Sequence, residues 1–211
     1  PTIVLPPFKT FGQESPIKAT FDDVPGLELR PLVHGDIDTI APLSVDSGLY
    51  TGVCPTDPPC CDPPEDHAWC QIAKRIDNAD TWQTTLMFEN RPLQFELINF
   101  NGGVPLINLT VHATRERPHW FWRESQKPVW QKLREHGYVL ARSATRKDRG
   151  DWIQQLKDNY QAVELGENDN TKTLEFPIST DVFQGWPQRK TLPAWQYTSG
   201  NVLVRELTVA D

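Results

Sequence analysis

The sequence predicts a mixed α/β domain, a mostly antiparallel sheet flanked by helices, with an extended arm at each end. Three observations predict it. Strand-like runs between residues 84 and 112 are divided by turn residues, Glu89-Asn90-Arg91-Pro92 and Asn101-Gly102-Gly103, which reads as an antiparallel meander. Beyond Arg115 the apolar period becomes helical and then alternates between helix and strand as far as Ile178. The 211 residues contain 19 prolines against 12 glycines, and the ends are punctuated by Pro1, Pro6, Pro7, Pro16 and Pro25, and by Pro187 and Pro193. Proline fixes φ and donates nothing to a ladder, so these ends read as extended arms. Hydrophobic residues make up 38% of the chain and mean hydropathy is −0.52. The 8 Trp, 9 Phe and 4 Tyr nonetheless suffice for a large core.

Taken in order, residues 1–26 form the N-terminal arm, 27–178 the α/β domain with a Cys/Pro-rich insertion at 44–65, and 179–211 the C-terminal arm. Leu27 to Arg30 alternates apolar and polar and stops before Pro31, a short strand. His34-Gly35-Asp36 offers a turn, with Asp36 as N-cap of a helix carrying Ile37, Ile40 and Leu43. His67 to Asn78 reads as a helix with Trp69, Ile72 and Ile76 on one side. The meander follows: Thr84–Phe88, Leu93–Phe100 and Val104–His112. Phe121 to His136 is helical, with Val129, Trp130 and Leu133 inward and Gly137 as its C-terminal stop. Pro128 predicts that this helix begins near Lys127 or kinks there. Tyr138–Ala144 is a buried strand, Asp151–Tyr160 a helix, and Gln161–Leu165 and Lys172–Ile178 are strands. The C-terminal arm is expected to dock through Trp186, Trp195 and Tyr197.

Charge narrows the function classes. Residues 1–80 carry 13 acidic side chains against 5 basic ones, while 115–149 carry 10 basic against 4 acidic. The basic stretch could steer an anion. The net charge of −7 and the absence of a nucleic-acid-binding signature argue against direct nucleic-acid binding. No apolar run reaches the ~20 residues of a membrane helix. No signal-like leader follows Pro1, so a cytoplasmic or virion location is expected over secretion. No Walker loop, Ser-His-Asp spacing or paired-carboxylate motif is visible. His112 and His119 flank the 113–118 stretch, and each reads as an ordinary hydrogen-bonding histidine.

All four cysteines fall within 17 residues: Cys54, Cys60, Cys61 and Cys70, with His67 among them. Thiolate and imidazole donors so close could close a structural zinc site. Disulfides and free thiols are the alternatives that this spacing leaves open.

The element order, with Leu29-Arg30-Pro31-Leu32 leading into Asp36, resembles the GNAT superfamily of acyl-CoA N-acyltransferases over roughly Leu27 to Ile178. In that family a hairpin leads into a strand whose end splays away to admit the pantetheine arm. A loop of pattern Arg/Gln-x-x-Gly-x-Gly/Ala and a helix N-terminus then hold the pyrophosphate. Val111-His112 and Gly137-Tyr138 match the expected ends of strand and helix. The corresponding loop is Arg115-Glu116-Arg117-Pro118-His119-Trp120, with Pro118 and Trp120 at the two glycine positions. Arg115, Arg117 and Trp120 are the implied cofactor contacts. The resemblance puts Lys157 where the family often has an acid Tyr, with Tyr160 nearby and at core spacing, and Glu96 and Asn108 where a base or water-holding group often lies.

The reading favoured is a non-catalytic assembly component that retains an acyltransferase-like fold and docks on neighbouring protein subunits through both arms. It needs no cofactor; a structural zinc is one state that the cysteine spacing leaves open. The segment His119-Trp120-Phe121-Trp122-Arg123-Glu124 resembles one in acetyltransferase-like sequences of tailed bacteriophages, which suggests a virion. The alternative is an acetyl-CoA-dependent N-acyltransferase, in which an amine attacks the thioester with Glu96 or a water as base. A lesser reading is a small zinc-stabilised binding module.

Overall fold

The computed structural model describes residues 15–22, 24–46, 49–112 and 119–179, and two short stretches, 195–196 and 203–204. For 108–112, 119–124 and those two stretches it describes the backbone alone. The arms at 1–14 and 180–211 therefore lie outside the described residues, apart from the two short stretches.

Strand β1 (Ala19–Thr20) pairs antiparallel with β2 (Leu27–Pro31). Residues 15–26, expected as part of the N-terminal arm, thus add an edge strand. Ile17 and Val24 on either side of β1 are buried in the main core. Flanking prolines, Pro16 and Pro25, and the acids Asp22 and Asp23 hide that apolar pair from any periodicity. Gly26 turns the chain at φ +81, a conformation that glycine takes without strain.

The first helix opens with a 3-10 turn, His34–Asp36, and continues as α1 (Ile37–Asp46). Arg30 grips Asp36 through both carboxylate oxygens at 2.8 and 2.7 Å, and the Val33 N–H donates to the same carboxylate at 3.0 Å. Asp36 therefore closes the turn back onto Val33, upstream of α1. Helix α2 (His67–Asp77) packs beside α1, with Ile37, Ile40, Leu43 and Ile72 against Phe95 and Leu97. Trp69, expected on one side of the helix with Ile72 and Ile76, is 41% exposed while Ile72 is fully buried. Its indole N–H donates to Asp38 at 2.9 Å, a partner that α1 presents at the rim of this layer.

The meander is β3 (Thr81–Phe88), β4 (Arg91–Asn99) and β5 (Leu106–His112), all antiparallel. Glu89 and Asn90, with φ of 48 and 64, make a two-residue turn whose handedness suits the strand twist. The predicted four-residue turn shortens because Arg91 and Pro92 join the ladder opposite Phe88 and Met87.

Helix α3 (His119–Glu135) spans Pro128, where the sequence predicted a start or a kink; its start lies well upstream of Lys127. A mid-helix proline costs about 3 kcal/mol. The cost is offset because Val129, Trp130 and Leu133, just beyond it, are fully buried on the sheet. Gly137 at φ +86 ends the helix, with Tyr138 N–H donating to the Leu133 carbonyl at 3.1 Å.

β6 (Leu140–Arg146), α4 (Gly150–Tyr160), β7 (Val163–Glu167) and β8 (Thr171–Pro177) complete the domain. β6 starts two residues later than predicted and is less buried: Val139 and Leu140 are exposed, while Ala141 and Thr145 face inward. The eight strands lie in the order β1-β2-β3-β4-β5-β6-β8-β7, with β5–β6 the only parallel neighbours among them. The result is a mixed, mostly antiparallel α/β sheet flanked by helices. α1 and α2 cover one face, and α3 and α4 the other, where Trp82, Trp130, Tyr160 and Phe176 fill the core. β9 (Trp195–Gln196) and β10 (Leu203–Val204) pair with each other as a separate ribbon. Among the described residues no helix is long and apolar enough to cross a membrane.

Candidate functional site

Two places on this scaffold gather chemistry. The first is the junction of β4, β5 and α3. β5 and β6 share one described ladder pair, Leu106↔Arg142, braced by Arg142 N–H donating to the Pro105 carbonyl at 2.8 Å. The parallel strands thus meet at their start, as expected for a strand that splays from its neighbour. Opposite the splay, the β4–β5 register shifts between Phe95 and Leu97, so Glu96 sits at a bulge.

The side chains of β4 alternate across the sheet, and this sorts them. Phe95 and Leu97 face α1 and α2, whereas Gln94 and Glu96 face α3. Glu96 is 1% exposed. Gln126 Nε2 donates to its Oε1 at 2.6 Å, and Trp130 Nε1 donates to Gln126 Oε1 at 3.1 Å. Beside them Gln94 Nε2 donates to Ser125 Oγ at 3.1 Å. Glu96 lies across the ladder from Thr84, whose hydroxyl is also fully buried. A polar network therefore runs through the core beneath α3. Ser125 and Gln126 are the members that residue spacing did not suggest; adjacent polar residues one turn before Val129 and Trp130 on a helix with a buried face were the available signal.

The other predicted residues are dispersed. Tyr160 is 1% exposed and packs edge-on against Trp130, with ring centroids 5.9 Å apart, so it is a core residue. Lys157 donates to Glu164 Oε2 at 3.0 Å, and Lys172 donates to the other oxygen at 2.9 Å. Lys172 and then Lys157 hold the Glu164 carboxyl below the usual carboxylate range. Asn108 lies on β5 opposite Leu97, and Trp120 in the first turn of α3, both described by backbone alone. Arg115 and Arg117, with Trp186 and Tyr197, lie outside the described residues, and Trp195 is described by backbone in β9.

The second place is the Cys/His cluster on the α1/α2 side. Cys60 Sγ is 3.8 Å from Cys61 Sγ and 3.3 Å from His67 Nδ1; Cys61 Sγ is 3.8 Å from the same nitrogen. Cys54, Cys60 and His67 present donor atoms all within 4.8 Å of one another. Cys60 N–H donates to Cys54 Sγ at 2.9 Å. Partial burial opposes the Cys54 thiolate, but hydrogen bonds from Cys60 and Thr56 outweigh it and bring the thiol down to about 6. Burial, then the neighbouring Cys70 and Cys60, push Cys61 up to about 12. All four thiols are free. Of the five residues singled out by spacing, Cys54, Cys60, Cys61 and His67 stand together, and Cys70 lies beside Cys61 and Lys74.

No protein-family model and no curated protein matches the chain. Solved structures do resemble it in fold. The PaiA N-acetyltransferase of Thermoplasma acidophilum, in complex with coenzyme A, superposes with a TM-score of 0.56 at 10% identity, over 72% of this chain and 98% of that one. Ard1 of Thermoplasma volcanium gives 0.54 at 14% identity, over 73% and 99%. FdhC, a nucleotide-linked sugar GNAT, gives 0.51 at 16% identity, over 72% and 86%. These likenesses establish a GNAT-like fold.

Proposed function

We propose that the chain is a non-catalytic assembly protein that keeps an acyltransferase-like fold as a rigid platform and docks on other protein subunits through its terminal arms. The observation that carries this reading is the engagement of Glu96. The carboxylate at the position suited to a general base is buried and takes a hydrogen bond from Gln126, which in turn accepts from Trp130. A general base must reach the proton it removes, and here α3 occupies the approach. Tyr160 and Lys157, the candidate acids, are respectively packed in the core and ion-paired. The sequence adds to the case: Pro118 and Trp120 stand at the two glycine positions of the family's loop pattern, and proline has no N–H to offer a pyrophosphate. The partners are protein subunits. The resemblance of residues 119–124 to tailed-phage sequences supports a virion as the specific setting.

A second reading, an acyl-CoA N-acyltransferase, draws on the single β5–β6 ladder pair and on the acetyltransferase folds. Calorimetric titration of acetyl-CoA into the full chain separates the two. The assembly reading expects no binding heat; micromolar binding that disappears in Arg115→Ala overturns it. Deleting residues 180–211 is expected to abolish co-assembly while leaving the circular dichroism of the domain unchanged.

A further inference from the structure

Segment 51–66 poses a physical question: what holds it in place? It has prolines at 55, 58, 59, 63 and 64, and no strand or α-helix. Its backbone is tied by Cys54 N–H to the Pro64 carbonyl at 2.9 Å, and by Lys74 Nζ donating to the Cys60 carbonyl at 2.9 Å. The only buried side chains in the segment are Cys54 and Cys61. It has no buried aliphatic or aromatic anchor, so ordering the chain is opposed by conformational entropy with little apolar burial to offset it.

The sulfurs are arranged as ligands. Zinc binds thiolate at about 2.3 Å and imidazole nitrogen at about 2.0–2.1 Å, so a tetrahedral site has S···S edges of about 3.8 Å and S···N edges of about 3.5 Å. The three distances among Cys60 Sγ, Cys61 Sγ and His67 Nδ1 are 3.8, 3.3 and 3.8 Å, one triangular face of such a tetrahedron. Cys54 Sγ stands within 4.8 Å of the Cys60 and His67 donor atoms, in a group that does not include Cys61, so completing the tetrahedron requires Cys54 to draw in. We propose that the segment closes on one structural Zn²⁺ held by Cys54, Cys60, Cys61 and His67 Nδ1. On binding, the three thiols release their protons to solvent, and His67 contributes the lone pair of its neutral ring.

The surroundings suit thiolate ligands. Gln71 Nε2 donates to Cys60 Sγ at 3.5 Å and to Cys61 Sγ at 3.8 Å, and Cys60 N–H donates to Cys54 Sγ. Donors of this kind orient ligand sulfurs and spread their charge. The ammonium of Lys74 stands against the cluster and balances part of its negative charge. Four protein ligands leave no open coordination position, so the site is structural. A disulfide does not explain the arrangement, because 3.8 Å between Cys60 and Cys61 sulfurs is far from the about 2.05 Å of a bond. Cys70, one turn beyond His67, is the supporting neighbour outside the tetrahedron.

The test uses the full chain, purified without chelator and then exposed to equimolar Zn²⁺ and desalted. Elemental analysis is expected to give one zinc per chain, and the cobalt-exchanged protein a tetrahedral d–d spectrum with thiolate charge transfer. Cys61→Ser and His67→Ala are each expected to lower metal content at least tenfold, while Cys70→Ser keeps it. Stripping with a strong chelator should speed proteolysis within 51–66, reversed by added Zn²⁺. No retained metal in the wild type, or an octahedral cobalt spectrum, overturns the site. Loss of metal in Cys70→Ser with retention in Cys54→Ser overturns this ligand set. The cobalt spectrum is read on the wild type, so a variant that fails to fold leaves a decisive measurement.

Discussion

The two faces of the sheet are held in different ways. Under α3 and α4 lies a continuous core that includes Trp82, Trp130, Tyr160 and Phe176, threaded by the Glu96–Gln126–Trp130 polar chain. Under α1 and α2 the core is smaller, built on Ile37, Ile40, Leu43 and Ile72 against Phe95 and Leu97, and it continues outward into a proline-rich segment whose buried groups are sulfurs. The first face gains its stability from apolar area. The second gains less, and its outer part is the segment for which a metal anchor is proposed above. A helical layer can thus be extended by a segment with no hydrophobic pattern, provided that another interaction supplies the anchoring.

This contrast can be broken by experiment. Trp130→Ala is expected to destabilise the whole domain by about 3–5 kcal/mol in urea melts. Ile72→Ala is expected to cost less, near the lower end of about 2–5 kcal/mol; equal losses would erase the asymmetry. Gln126→Leu removes the donor to Glu96 Oε1 and the acceptor of the Trp130 N–H, and should cost about 1–3 kcal/mol. The double variant Glu96→Leu/Gln126→Leu should recover part of that loss, and a failure to do so would show that the network is not the unit. Asn90→Ala at φ 64 should cost about 1 kcal/mol, with Asn90→Gly close to neutral, which checks that the meander turn contributes locally.

The smallest effect concerns pH. Lys172 and Lys157 hold the Glu164 carboxyl below its ordinary value, so its contribution is present above the unfolded pKa of about 4.3 and is lost as pH falls through the folded one. Glu164→Gln should therefore flatten the acid limb of a stability–pH curve while leaving the neutral region nearly unchanged. A wild-type and variant acid limb of equal slope would remove this ion pair from the account.

Local rules carried far along this chain. The meander, the Gly137 stop and the inward Val129, Trp130 and Leu133 were legible because turn chemistry and apolar period act over a few neighbouring residues. The nearness of Cys54, Cys60, Cys61 and His67 follows in the same way, because all lie within one short span. Two helices defied local reading. Pro128 forbids a helix by its own chemistry, yet burial of the next turn outweighs it. Trp69 shares a helix side with Ile72 by spacing, yet stays exposed and finds Asp38 on the neighbouring helix.

What the amino-acid order determined by itself was the element sequence, the turns and the cysteine span, since each follows from steric and periodic constraints among near neighbours. What only the tertiary structure decided was which face each β4 side chain takes, that Glu96 meets Gln126, that Ala19–Thr20 join the sheet, and that two cysteine sulfurs and the His67 Nδ1 stand within 3.8 Å of one another. Those outcomes depend on strand register and helix docking, where a one-residue shift moves a side chain to the opposite face, and no local pattern sets that register across thirty residues of intervening chain.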